Sequence, residues 1–263
     1  MIGFNALGKL GLFANQMFQF SALKGIAKNR GFTYCIPPTK YKDKKDEWQE
    51  HQLFNPFKLK DTNLVQFIER PIVQEETFTF NENLFNNCPD DVDIRGYFQT
   101  EKYFKHIRDE LLHDFTFKDE ILKPCNEMMN SFETPPVALH IRRTDYITNP
   151  NHTALDISYY EEALKEFGND RGVIVFSDDT KWCHEHPLFS DDRFLISDNN
   201  SNYVDMCLMT MCNGHIIANS SFSWWGAWLS NSEKIIAPSG WFKGSNNQHL
   251  DTKDIIPEKW IIV

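Results

Sequence analysis

Residues 137–146 read Val-Ala-Leu-His-Ile-Arg-Arg-Thr-Asp-Tyr, an apolar run that breaks into His140, Arg142, Arg143 and Asp145. Pro135 and Pro136 bound the apolar half, which reads as a buried strand. The polar half then falls at that strand's carboxyl end, where open α/β sheets place their ligands. Two guanidiniums in such a place need anionic partners, because a desolvated cation left unpaired is costly. A diphosphate meets that need through forked, charge-assisted hydrogen bonds. An internal Arg–Asp cluster with no ligand meets it as well, and this segment alone leaves both open.

Two further segments bear on the choice. His215-Ile216-Ile217-Ala218-Asn219 is another short apolar run, followed by Ser220-Ser221-Phe222-Ser223 and the tryptophan-rich stretch Trp224 to Leu229. Strand, small hydroxyl turn and helix is an arrangement that aims backbone N–H groups and a helix N-terminus at a phosphate. An ordinary serine cap ahead of a core helix has the same pattern. Val173-Ile174-Val175-Phe176 is a third strand candidate, ending in Ser177-Asp178-Asp179. Acids in that position accept from ribose hydroxyls or base N–H groups; one of them equally caps a helix from Thr180.

The elements that must position these residues alternate between helix and strand. Asn15 to Lys28 has helical apolar spacing and ends at Lys28-Asn29-Arg30-Gly31. Phe32 to Ile36 alternates like a strand, and Ile94 to Phe98 reads as another, with Thr100 starting a helix that turns Tyr103, Phe104, Ile107 and Leu111 inward. Residues 40–90 are irregular, with Phe54, Phe57, Phe67, Phe78, Phe80 and Phe85 suggesting packed loops. Lys118 to Pro136 is the lobe boundary. Beyond it Ser158-Tyr159-Tyr160-Glu161 reads as a capping box, Tyr203 to Cys212 as a helix and Lys234 to Pro238 as a strand. Alternation of this kind implies parallel sheets. The expected domains are 1–125 and 126–263.

On these residues the chain resembles the α-1,2-fucosyltransferases of glycosyltransferase family 11. His140-Ile141-Arg142-Arg143-Thr144-Asp145-Tyr146 is similar to their H-x-R-R-x-D-Y motif, shared more loosely with α-1,6- and protein O-fucosyltransferases. Asp205 to Leu229 resembles the C-terminal motif, while Asn15-Gln16-Met17-Phe18-Gln19-Phe20 and Gly96 to Phe104 resemble the two N-terminal ones. Ala14 departs from the glycine usual before Asn-Gln, and Thr144 matches the α-1,6 form; both bear on acceptor and linkage more than on donor.

The resemblance implies a GT-B-like α/β fold of two Rossmann-like lobes, the C-terminal one holding most of the donor. It implies an inverting transfer of L-fucose from GDP-β-L-fucose to a glycan hydroxyl, a galactoside 2-OH above all, without a metal or other cofactor. Arg142 matches the motif's phosphate clamp. Strand alternation puts His140 on its face, as a catalytic candidate or a satisfied structural histidine; Arg143, a further substrate-binding candidate, projects to the opposite face if the strand persists. Asp145, so close to two arginines, orients them and makes a poor base. Asn219, Ser220, Ser221 and Phe222 would hold phosphate and flank the base, with Ser177, Asp178 and Asp179 reading guanine or ribose. Asn15 and Gln16 would close over the diphosphate or sugar. Asp91-Val92-Asp93 resembles a metal-binding D-x-D but precedes its strand. A transferase using another GDP-sugar or making another linkage stays open, as does a non-catalytic nucleotide-sugar or glycan-binding protein.

A net charge of −10 over 263 residues excludes a nucleic-acid surface and leaves an anionic donor to find local positive charge. No run of apolar residues is long enough to span a membrane, and the N-terminus carries no signal pattern. Six cysteines without a C-x-x-C pair read as free thiols. The sequons at Asn199 and Asn219 point the same way, because a glycan on Asn219 would block the serine turn. A cytoplasmic protein is expected.

Overall fold

A computed structural model describes residues 1–59, 62–66, 69–242 and 250–263, so Phe67 lies outside the described residues. Two compact units emerge. Unit 1 comprises 1–118 with 251–257, and unit 2 comprises 119–250 with 258–263. The division falls at Lys118, and the chain returns to unit 1 near its end.

Unit 1 is built from β1 (Ile2–Gly3), α1 (Phe13–Arg30), β2 (Tyr34–Cys35), the antiparallel pair β3 (Lys40–Lys42) and β4 (Trp48–Glu50), β5 (Ile72–Gln74), α2 (Glu82–Asn87), β6 (Asp93–Arg95) and α3 (Arg108–Asp114). Its sheet runs β2-β1-β6-β5, all parallel. Helix α1 buries Phe18, Leu23 and Ile26. It ends at Gly31, whose φ of 69° suits a residue without Cβ and lets its N–H reach the Ala27 and Lys28 carbonyls.

Two expectations are corrected here. The strand read over Ile94 to Phe98 stops at Arg95, because the Glu75 carboxylate accepts the Tyr97 and Phe98 amides at 2.7 and 2.8 Å. Phe98 turns to a φ of 53°. The helix read from Thr100 begins instead as two 3₁₀ turns, Glu101–Tyr103 and Lys105–Ile107, with the Thr100 hydroxyl accepting from the Lys102 amide. Tyr103, Phe104, Ile107 and Leu111 are buried as their spacing requires.

Unit 2 contains α4 (Asp119–Met129), β7 (Val137–Ile141), α5 (Ile157–Lys165), β8 (Val173–Ser177), α6 (Thr180–Glu185), β9 (Phe194–Ile196), α7 (Asn202–Met211), β10 (His215–Ile216), α8 (Ser221–Leu229), β11 (Ile235–Ala237) and β12 (Ile261–Ile262). Its sheet is parallel in the order β12-β11-β10-β7-β8-β9. Val137, Leu139, Ile141, Val173, Val175 and Ile216 form the core under α5 and α6. Helix α7 seats α8 closely, since a Cβ on Gly226 would stand 2.7 Å from the Met209 Cβ. Helix α5 is capped by Asp156, which accepts from the Ser158 amide, so Ser158 does not open a capping box. The short strands β9 and β12 have no legible pattern of their own.

Candidate active site

Register decides who meets whom. β7 and β8 pair from Val137↔Val173 to Ile141↔Ser177, so the two strands end level, and Arg142-Arg143 emerges beside Asp178-Asp179. Arg142 places Nη2 2.7 Å from Asp145 Oδ1 and Nη1 3.3 Å from Asp178 Oδ2. The Arg143 Nε donates to Asp179 Oδ2 at 3.2 Å. Its guanidinium lies 3.9 Å over the Trp182 ring, a cation–π contact worth roughly 0.5–2 kcal/mol. The strand ends at Ile141, so the condition for Arg143 to alternate onto the opposite face is not met.

The aspartates differ in use. Asp178 Oδ1 accepts the Arg143 amide at 2.9 Å and Oδ2 the Thr144 amide at 3.2 Å. The Thr144 hydroxyl donates to Oδ2 as well. Asp179 caps α6 through the Trp182 amide, and the Ser177 hydroxyl accepts the Asp179 amide at 3.0 Å. Asp178 and Asp179 therefore hold the segment that carries the arginines, while Ser177 shapes the turn of its own strand. Two arginines face three aspartates, and of these Asp145 is the most open, its side chain 52% exposed.

The serine turn is drawn to the same end of the sheet, since β10 flanks β7. His140 Nδ1 is 2.9 Å from the Ser223 hydroxyl, and its ring centroid is 5.7 Å from that of Phe222. Ser223 Oγ donates to the Ser220 carbonyl, which leaves it to accept from an Nδ1–H imidazole. Burial, opposed in part by Asp178 and reinforced by Arg142, pushes the His140 pKa down to about 3. The ring is neutral and holds α8 to β7. Ser220 caps α8 by accepting the Phe222 amide; the Ser221 hydroxyl, on the first turn, makes no hydrogen bond among the described residues. Asn219 donates to the Thr153 and Trp241 carbonyls at 3.2 and 3.1 Å, while its Oδ1 is buried without a partner.

Sequence reasoning passed over Tyr146 and Trp182. Tyr146 stacks on His152 with centroids 4.5 Å apart, lies 5.4 Å from the Arg142 guanidinium, and donates its hydroxyl to the Asn219 carbonyl at 3.3 Å. It ties the arginine segment to the serine turn. For Tyr146 the available signal was an aromatic within four residues of the paired arginines; Trp182, 39 residues from Arg143, follows only the Asp178-Asp179 pair and meets Arg143 through the fold.

Asn15 and Gln16 belong to unit 1. Asn15 Oδ1 accepts from Gln99 Nε2 at 2.6 Å, which joins the two N-terminal motifs. Gln16 is buried and its Oε1 accepts the Gln52 amide at 2.7 Å. Asp91 is exposed and pairs with Arg70 Nε at 3.0 Å, whereas Asp93 is buried and accepts the Asn5 amide. The two carboxylates do not converge. Among the described residues no group of three or more His, Cys, Asp or Glu is placed to hold a metal ion, and no helix is long and apolar enough to cross a membrane. All six cysteines are buried free thiols.

A profile of the family described as Glycosyl transferase family 11 matches residues 2–263. The O-antigen biosynthesis glycosyltransferase WbnK of Escherichia coli is 35% identical over 63% of this chain and 61% of its own length. An alpha-1,2-colitosyltransferase of Escherichia coli is 35% identical over 71% of the chain and 67% of that protein. Galactoside alpha-(1,2)-fucosyltransferase 2 of Bos taurus is 26% identical over 88% and 69%. The chain thus spans about three fifths to seven tenths of these relatives. The fold matches POFUT1 in complex with GDP-fucose, at a TM-score of 0.56 and 13% identity over 90% of this chain and 97% of that one. It also matches the fucosyltransferase NodZ from Bradyrhizobium, at 0.52 and 12% over 83% and 90%. The architecture is α/β and GT-B-like.

Proposed function

The chain belongs to glycosyl transferase family 11, and from that premise we propose that it is an inverting fucosyltransferase that moves L-fucose from GDP-β-L-fucose to a glycan hydroxyl, with a galactoside 2-OH as the acceptor position. The observation that carries this reading is the junction of two anion-binding devices at one sheet end. Arg142 emerges from β7, and the serine-capped N-terminus of α8 follows β10, the strand beside it. The arginine fork and the α8 amides together suit a diphosphate.

The chemical demand is to stabilise the charge that leaves on the β-phosphate while the fucosyl carbon becomes cationic. Arg142 supplies that stabilisation as a preorganised donor, held in place by Asp178 and by Tyr146 beneath it. Such a donor is typically worth roughly 3–4 kcal/mol, or two to three powers of ten in rate. His140, neutral in the native state, acts by positioning the serine turn rather than by proton transfer. With cationic side chains in this role, catalysis proceeds without a metal, and the protein works in the cytoplasm on a glycan before export.

The similarity to a colitosyltransferase favours a second reading, in which the same phosphate site serves a different GDP-sugar. One experiment separates the readings. The purified chain is incubated with GDP-fucose and other GDP-sugars against a panel of β-galactosides, GDP release is followed, and the product linkage is read by NMR. A 2-linked fucosyl galactoside supports the proposal. Product from another GDP-sugar alone supports the second reading, and absence of any product overturns both.

A further inference from the structure

Unit 1 holds a cavity of about 310 Å³ against its sheet, lined in part by Asp93 and Arg95, which lie two apart on β6 and so project to one face. Lys9, Lys44, Lys45 and Asp43 complete its charged lining. Four cations against two acids is an unusual balance in a chain of net charge −10.

The acids are already engaged. Asp43 takes Lys9 Nζ at 2.5 Å and the Lys45 and Glu47 amides at 2.8 and 3.0 Å, and these bonds hold its carboxyl down at about 2. It therefore neutralises Lys9 and little else. Asp93 accepts the Asn5 amide at 2.8 Å. Arg95 stands otherwise: Asp93 acts on it at Coulombic range without a hydrogen bond or salt bridge between them. Its Nε is buried with no hydrogen-bond partner, and its guanidinium forms no salt bridge among the described residues. A guanidinium without a hydrogen-bonded or ion-paired acceptor favours an anion brought to it, and a guanidinium takes an oxyanion through a fork of N–H donors. Ala6, Leu10 and Ile72 add an apolar wall suited to the C–H face of a sugar ring, and the volume is of the size small ligands occupy.

We propose that this cavity binds an acidic sugar residue of the acceptor glycan, a uronic acid or a sugar phosphate, whose carboxylate or phosphate pairs with Arg95. The acceptor role rests on the transferase reading, whereas the binding of an acidic sugar does not.

The test is calorimetry and saturation-transfer NMR on the full chain with glucuronic acid, glucose 1-phosphate, inorganic phosphate and glucose. Binding of an acidic sugar at least tenfold tighter than glucose and inorganic phosphate is expected, and which of the two acidic sugars binds identifies the anion. Arg95→Leu should weaken it by tenfold or more, since a charge-assisted bond is lost. Because Arg95 is partly buried, the exposed double variant Lys44→Gln/Lys45→Gln serves as a second probe, expected to weaken binding a few-fold and to reduce its salt dependence. Equal binding of glucose, equal binding of inorganic phosphate, no binding of either acidic sugar, or unchanged affinity in both variants would overturn the proposal. GDP release from GDP-fucose is measured on the same samples. Acidic-sugar binding without turnover sinks the transferase reading alone, and turnover without such binding sinks this one.

Discussion

Asp178, at the end of one strand, holds the backbone N–H of Arg143, at the end of the next, at 2.9 Å. The contact spans 35 residues of sequence and turns a strand terminus into a rigid mount for the arginine pair. The remaining oxygen of Asp178 serves the Thr144 amide and Arg142. We therefore propose that Asp178 positions the arginine pair. Asp178→Ala should leave two amides without an acceptor and cost roughly 1–3 kcal/mol of stability, with turnover falling as Arg142 loosens. Urea denaturation alongside steady-state kinetics checks both; an Asp178→Ala protein with unchanged stability would remove the mount.

Arg142→Ala should retain the fold and lower turnover by about two to three powers of ten. Arg142→Lys should fail largely too, because an ammonium cannot fork across two phosphate oxygens. Near-normal turnover in a folded Arg142→Ala variant would take the central residue out of the mechanism.

Asp145 is half exposed and competes for the same guanidinium, 2.7 Å from Arg142 Nη2. Exposed pairs of this kind contribute about 0–1 kcal/mol, so Asp145→Asn should tighten GDP binding by up to about fivefold. Titration calorimetry with GDP decides it. A weaker complex would mean that Asp145 serves the ligand directly.

Buried titratable groups set opposing pH trends. Burial lowers His140 to about 3 and His215 to about 4, against 6.5 in the unfolded chain, so between pH 6.5 and about 4 the unfolded state holds more protons and acid destabilises the fold. Glu75 and Asp205 are raised by burial to about 7 and about 6, from 4.5 and 3.8. In those windows the native state holds the extra proton, so their contribution is lost as pH rises through the folded-state values. Glu75→Gln removes one opposing term and should steepen the loss of stability from pH 6 to pH 5 by roughly 1 kcal/mol. Urea melts at the two pH values measure this, and an unchanged slope would mean that Glu75 titrates normally.

EDTA-treated protein should keep its activity. Asp91→Asn should be close to silent, since Asp91 is exposed, pairs only at the surface with Arg70, and its φ of 61° suits asparagine. Activity lost on chelation and restored by Mn²⁺ would move the site toward Asp91 and Asp93.

The sequence by itself determined the parallel α/β plan, the strand that carries His140 and breaks off into Arg142 and Arg143, the serine cap of the helix after a neighbouring strand, and the family. Each of these rests on patterns within a few residues: an apolar run, a change of polarity at its end, a hydroxyl ahead of a helix. Tertiary structure decided the pairings. Strand register, which no local pattern encodes, assigned Asp178 to Arg142 and the Arg143 backbone and Asp179 to the Arg143 side chain. Burial decided that His140 is neutral. Glu75, more than twenty residues away, ended the strand that the sequence extends to Phe98, because its carboxylate outcompetes a neighbouring strand for the Tyr97 and Phe98 amides. The return of residues 251–257 to unit 1 was equally illegible, since it rests on Asp254 meeting Lys102 at 2.6 Å and the Phe80 amide at 2.8 Å across more than 150 residues of chain. Such contacts form only when folding brings distant charges and amides together, and composition and periodicity carry no trace of them.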